Sequence, residues 1–212
     1  MIEKLKSFWD TCDTTFAHLT IDKHLKHYDN LTNNWDKYFL TYLNNLYSLE
    51  NKNIIDYGIG GGYLGIHLHK KYHIKKYIGI DLSNRQLKYA EYNLKQYPID
   101  YELLITPIEF NTIPCDIFIS QAVIQHFPDR EYLNDFLHNI NYSNIPIIML
   151  QIRHNKNTIF SNGEYNSIKE VVHRCHTNND YIQSYLNNYI NVYKGSILLN
   201  QYQFLLYQAK NI

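Results

Sequence analysis

Asn53-Ile54-Ile55-Asp56-Tyr57-Gly58-Ile59-Gly60-Gly61-Gly62-Tyr63-Leu64-Gly65 runs from a short apolar strand pattern through a cluster of glycines into a helical one. Glycine admits positive φ in a tight turn and removes the Cβ that would hold a ligand off the backbone. The helix that follows opens with free N–H groups and the positive end of its dipole. In an open parallel sheet, ligands bind beyond the carboxyl ends of the strands, which is where this turn falls. The segment reads as a binding turn for a nucleotide-like ligand.

Two kinds of nucleotide suit it at first sight. Gly60 to Gly65 matches G-x-G-x-x-G, and Asp81 follows at about the 20-residue distance expected of a ribose-binding acid. Those features alone fit a nicotinamide dehydrogenase. Asp56 argues against it. This carboxylate ends the strand two residues before the first glycine, where it would repel a pyrophosphate but stabilise a ligand carrying an ammonium or sulfonium group.

Outward from the turn, short apolar runs alternate with longer helical stretches. Strands are expected at 53–57, 77–81, 101–105, 116–120 and 145–152, with helices at 63–72, 84–97 and 129–140 between them. Continuous apolar strands separated by amphipathic helices predict a mostly parallel sheet covered on both faces. Residues 155–179 are polar and loop-like, 180–189 read as a helix, and 191–199 with 201–209 form two strands joined too tightly for a crossover helix. That predicts an antiparallel C-terminal hairpin at one sheet edge. The first fifty residues repeat apolar side chains at three- and four-residue steps, with a helix expected from Trp35 to Leu49 after a cap at Asn33 or Asn34. The chain divides into an N-terminal helical extension, 1–50, and one α/β binding domain, 51–212.

This arrangement resembles the class I S-adenosylmethionine-dependent methyltransferases, whose Rossmann-like sheet has the same closing antiparallel hairpin. The family's first motif, acid-x-Gly-x-Gly-x-Gly, matches Asp56, Gly58, Gly60 and Gly62. Its second, an acid ending the next strand, matches Gly79-Ile80-Asp81-Leu82-Ser83. Asp116 to Asp129 looks like the family's fourth strand and following loop, so the resemblance covers about residues 53–209. It implies S-adenosyl-L-methionine as cofactor. Asp56 with the turn at Gly58 and Gly60 would hold the methionine portion, directly or through water. Asp81 would accept both ribose hydroxyls, Leu82 would pack on the adenine, and the Gln121 backbone would meet the methionine amino group. One departure stands out in Thr106-Pro107-Ile108-Glu109, where Pro107 replaces the family's adenine-binding acid. The Ile108 backbone is left to reach the ring, with Glu109 as a substitute.

Methyl transfer needs alignment above all, and a base helps with a hydroxyl or ammonium acceptor. His126, in the loop after the fourth strand, is the candidate base; the competing reading has it capping the next helix or bonding a carbonyl. Arg153 and His154, at the end of the fifth strand, are candidate substrate contacts. Trp9, Trp35 and Tyr38 could cover the site or simply pack a core. His67 and His69 read as packing or surface residues. His173-Arg174-Cys175-His176 lacks a second Cys/His pair at zinc spacing, so no metal is expected and a polar lid is the reading. Ser120-Gln121-Ala122-Val123 lacks the Asn/Asp-Pro-Pro-Tyr/Phe motif of amino-methylating DNA enzymes, and Cys115 precedes the strand, which disfavours a covalent cytosine mechanism.

Composition narrows the field further. The 212 residues carry 20 basic and 20 acidic side chains, a balance unlike that of proteins that grip phosphate backbones or anionic lipid. No run nears the roughly 18 apolar residues of a membrane span, and the N-terminus lacks a secretory apolar region. Three widely spaced cysteines fit a reducing cytoplasm. The expected protein is a cytoplasmic enzyme moving a methyl to oxygen or nitrogen of a small molecule, with no DNA or membrane partner. The alternatives are a non-catalytic cofactor-binding scaffold or partner subunit and, further off, an NAD-dependent oxidoreductase.

Overall fold

The computed structural model describes residues 2–11, 36–161, 174–197 and 202–210. Seven strands form one sheet: β1 (Asn53–Tyr57), β2 (Lys76–Asp81), β3 (Tyr101–Ile105), β4 (Ile117–Ser120), β5 (Ile147–Arg153), β8 (Tyr189–Ile197) and β9 (Tyr202–Ala209). Their order is β3-β2-β1-β4-β5-β9-β8. A two-stranded sheet pairs β6 (Ile159–Phe160) with β7 (Cys175–His176). The helices are α1 (Ile2–Thr11), α2 (Thr41–Tyr47), α3 (Tyr63–Tyr72), α4 (Asn84–Leu94), α5 (Arg130–Asn141) and α6 (Asn179–Tyr185). The chain forms two compact units, one of residues 9–106 and one of residues 1–8 with 107–212.

In the first unit β1, β2 and β3 pair in parallel, with Asp56 opposite Gly79 and Asp81 opposite Ile105. Ile54, Ile55, Ile78 and Ile80 are buried, as befits strands flanked by others on both sides. The loop from β1 into α3 turns on Gly58, Gly60 and Gly62, which have φ of 83°, 51° and 78°. Gly65, one turn into α3, lies against the ring of Tyr77, which is fully buried. A Cβ there would collide with a ring that cannot swing away. Gly65→Ala is therefore expected to cost about 1–3 kcal/mol, read as a lowered midpoint in a thermal melt.

The expected helix from Trp35 to Leu49 is in fact a π-helical turn, Asp36–Leu40, followed by α2. The Asp36 carboxylate accepts bonds from the Tyr72 hydroxyl and the His67 ring and pairs with Lys71, tying that turn to α3. His67 thus holds a partner on its own unit rather than facing solvent. Trp35 and the caps expected at Asn33 or Asn34 lie outside the described residues. Helix α4 stops at Leu94 rather than 97, because Pro98 disfavours helical backbone before it.

In the second unit β4 and β5 run in parallel, β9 is antiparallel to β5, and β8 is antiparallel to β9. The hairpin is the one expected from sequence, and its last strand sits inside the sheet rather than at its edge. Helix α6 ends at Tyr185, four residues before the expected limit. The side chain of Asn141 captures the following turn: it donates to Asn187 Oδ1 at 2.8 Å and accepts from the Asn188 N–H at 2.9 Å. Residues 155–179, expected to be loop, contain β6 and β7, strands of two residues each. So short a strand leaves no periodicity to read.

Candidate active site

The glycine turn is fixed from below and from the side. The N–H groups of Gly58 and Ile59 both donate to the carbonyl of Ile80, at 2.7 and 3.1 Å. Asn93 of α4, buried, donates through Nδ2 to the Gly61 carbonyl at 2.8 Å and to the Tyr63 hydroxyl at 3.1 Å. A Cβ on Gly60 would meet no atom of the described residues within 4 Å. Gly62 serves instead to bring the turn close to α4, since its Cβ would lie 3.2 Å from Leu94. Nothing in the sequence marked Asn93 as a clamp, because a buried asparagine is visible only once its partner is known.

Asp81 closes the site at the end of β2. Its Oδ2 accepts the Gly60 N–H at 3.1 Å and its Oδ1 the Ser83 N–H at 2.9 Å. A carboxylate has about four acceptor positions, so acceptor capacity remains for a hydroxyl donor. Burial pushes this carboxyl up to about 6, against the pull of the Ser83, Gly60 and Leu82 N–H groups, and Asp10 adds to the rise. The group is mainly ionised at neutral pH. Ser83 caps α4 by accepting from the Gln86 N–H and donates its own hydroxyl to Asp10 at 2.6 Å. Asp10 had no mark in the sequence, being more than 70 residues away.

Asp56 lies 3% exposed under the turn, with its Oδ2 accepting a bond from the Tyr77 hydroxyl of β2. Burial pushes its carboxyl up to about 7; the Tyr77 donor opposes the rise and Asp81 adds to it. A neighbouring cation would hold Asp56 ionised, whereas alone it is divided between its two forms near neutrality. The Tyr77 partner was hidden in a chain with 21 tyrosines.

The second unit carries the other expected site residues. Asn139 of α5 grips the segment that holds Ile108, donating to the Ile108 carbonyl at 2.7 Å and accepting from the Phe110 N–H at 3.0 Å. Beyond β4, Gln121 precedes Ala122, a non-glycine residue at φ 54° whose N–H donates to Oε1 of the buried Gln151 at 3.1 Å. A left-handed alanine costs about 1 kcal/mol, and such positions gather at ligand sites. The loop then winds into a 3₁₀ turn, Ile124–His126, which packs on β5 and β7. The Arg174 N–H donates to the Gln125 carbonyl at 3.0 Å, and the Thr177 N–H to the Arg153 carbonyl at 2.9 Å. His126, Arg153, His154 and His176 therefore belong to one set of packed elements. His173 lies outside the described residues. Among those described, no group of three or more His, Cys, Asp or Glu side chains could hold a metal ion.

The order of the sheet, the glycine turn and the acid ending β2 are the features of one enzyme family, and residues 48–205 match the sequence profile described as the methyltransferase domain. The chain belongs to that family. It is an enzyme, a methyltransferase whose cofactor is S-adenosylmethionine. The fit is seen in Asp81, which keeps acceptor capacity for a ribose, and in Gly60, whose Cβ position no described atom crowds.

Solved structures share this methyltransferase's fold at low identity. A protein from Pyrococcus horikoshii is 15% identical with a TM-score of 0.65, covering 97% of this chain and 99% of its own. Magnesium protoporphyrin IX methyltransferase from Synechocystis, determined with bound S-adenosylmethionine, is 15% identical with a TM-score of 0.59, covering 98% and 90%. A complex of the Trm112 methyltransferase activator from Haloferax volcanii with a methyltransferase gives 13% identity and a TM-score of 0.60, covering 94% and 99%. No curated protein matches the sequence. Among the described residues of the methyltransferase, no helix is long and apolar enough to cross a membrane.

Proposed function

We propose that this methyltransferase acts in the cytoplasm on oxygen or nitrogen of a small-molecule acceptor, chiefly by aligning it. The cofactor, when bound, supplies an electrophilic methyl on a sulfonium. Asp81 accepts the ribose hydroxyls, the Gly58–Gly62 turn and Asp56 take the methionine portion, and Leu82 packs on the adenine. The family resemblance gives the Ile108 and Gln121 backbones to the same cofactor. The apolar periodicity of the first fifty residues gives 1–50 to a helical extension of the domain at 51–212. Alignment supplies most of the rate enhancement when two reactants are held together. A base then has only to remove the acceptor's proton.

The observation that carries the acceptor reading is the gathering of the His126 turn with the ends of β5 and β7. His126 takes the proton, and Arg153 and His154 contact the acceptor. His126→Asn is expected to lower kcat by about 10²-fold while leaving affinity for S-adenosylhomocysteine unchanged; an unchanged kcat would assign His126 to structure alone. The acceptor class is tested by incubating the enzyme with methyl-labelled S-adenosylmethionine and a cell extract. Label in a small molecule of the ultrafiltrate that chromatography separates from the cofactor is expected, and not in the same extract without enzyme. Label confined to protein or RNA would overturn the small-molecule reading and favour a macromolecular acceptor.

A further inference from the structure

Three buried side-chain atoms of the second unit, Ser120 Oγ, Gln203 Oε1 and His154 Nδ1, have no hydrogen-bond partner among the described residues. Strand register brings them together. Ser120, the last residue of β4, pairs with Leu150 of β5, and Gln203 of β9 pairs with Ile152. The bridge from His154 to Thr177 carries extended backbone one residue past β5. Side chains alternate along a strand, and paired residues share a face. Ser120, Leu150, Ile152, His154 and Gln203 therefore project from the same face of the sheet. Ile152 stands in the middle: Gln203 is its direct cross-strand neighbour, Ser120 its diagonal one on the other side, and His154 follows two residues on. Each lies about 5–8 Å from Ile152 between Cβ atoms. Ser120 is 1% exposed and Gln203 4%, while His154 is half-buried at the rim. Buried polar groups are nearly always paired with protein, water or a ligand. Three unpaired ones at the carboxyl end of the sheet, where ligands enter an open α/β fold, mark a binding site.

The chemistry of the three groups limits what they can take. Leu150, Ile152 and Leu205 on the same face are buried and give the site an apolar floor. None of the strand residues that β4, β5 and β9 place on this face carries a fixed charge. Lys194 of the edge strand β8, in register with Leu205, is exposed. Burial, and after it Lys194, holds the His154 imidazole below its ordinary value, so the ring is neutral at pH 7. The Gln203 oxygen only accepts, the Ser120 hydroxyl donates or accepts, and a neutral imidazole nitrogen does either according to its tautomer. A hydroxyl group answers all three. A carboxylate or phosphate would set its oxygens against that of Gln203, and an ammonium would meet the field of Lys194. We propose that Ser120, His154 and Gln203 form the binding site of the methyl acceptor, and that this acceptor is an uncharged, largely apolar molecule carrying a hydroxyl. The inference rests on the reading that the acceptor binds beside the His126 turn, which packs on β5.

The test gives the full chain, as wild type, Ser120→Ala and Gln203→Met, methyl-labelled S-adenosylmethionine and a cell extract. Labelled small molecules are separated from the cofactor and passed over anion and cation exchangers at pH 7. The wild-type product is expected to pass through both and to withstand mild alkali, which hydrolyses a methyl ester. In dilute extract each variant should lower the label incorporated by about 3- to 10-fold, the loss of one neutral hydrogen bond, with unchanged calorimetric affinity for S-adenosylhomocysteine. Neither variant should melt below the wild type, because each removes a polar atom that the fold leaves unpaired. Undiminished incorporation, or a lower melting temperature, in either variant would overturn the site. A small-molecule product that an exchanger retains or that alkali hydrolyses would overturn the uncharged hydroxyl acceptor and leave the small-molecule reading standing. Label confined to protein or RNA would overturn that reading, and the site with it.

Discussion

Asp56→Asn should make the protein more stable at pH 8 while weakening its hold on the cofactor. The Asp56 carboxyl is raised from an ordinary 3.8 to about 7 in the folded protein, with burial as the main cause. Between those values the folded state binds the proton that the unfolded state has released. Stability therefore falls as pH rises from about 4 to about 7, and stays lowered above that range. Three pKa units correspond to about 4 kcal/mol, an upper bound on what the ionised group costs. Asparagine presents a neutral oxygen to the Tyr77 hydroxyl, keeps the hydrogen bond and removes the titration. At pH 8 the variant is expected to gain roughly 2–4 kcal/mol, or about 5 °C or more in melting temperature. At pH 5 the two proteins should differ little. Parallel melting curves across that range would show that Asp56 does not carry the buried ionisation. Such a gain in stability alongside lost binding would mark the acid as kept for its ligand.

The second large effect lies at Asp81. Alanine there removes the acceptor of the Gly60 and Ser83 N–H groups and the acceptor capacity left for the ribose. Losing charge-assisted bonds of this kind costs about 1–3 kcal/mol, so affinity for S-adenosylhomocysteine should fall by roughly 5- to 150-fold. Asp81→Asn keeps one acceptor oxygen and should fall between alanine and the wild type. Calorimetric titration of the three proteins checks the order. Equal affinities would remove Asp81 from the ribose. The loss in Asp81→Ala should also vary little between pH 7 and 9, because a carboxyl near 6 is ionised throughout that window.

Much of this architecture is written locally. Alternating apolar runs and helical periods determine the strands from β1 to β5 and the helices between them, and the glycines mark their turn because only they accept its φ values. Asp56 and Asp81 are legible for the same reason: each ends a strand whose length and apolarity are evident. The parts that were not legible depend on tertiary partners. Asn93, Asn139 and Asn141 are ordinary asparagines until a carbonyl or turn lies opposite them. Tyr77 is one tyrosine among many until Gly65 and Asp56 enclose it. Helix α6 carries a pattern that would allow it to continue, but the hold of Asn141 on residues 187 and 188 ends it. The π-helical turn at Asp36 depends on three side chains of α3, some 30 residues further along the chain. Local pattern gives the strand ends and the glycine turn, but not the groups that hold the two acids in position.

The cofactor assignment joins the glycine turn, Asp56 and Asp81, and the most direct test is calorimetry of the purified wild-type protein with S-adenosylhomocysteine, run beside NADH. One site that binds S-adenosylhomocysteine and not NADH is expected. Binding of NADH, or indifference to both ligands, would contradict it.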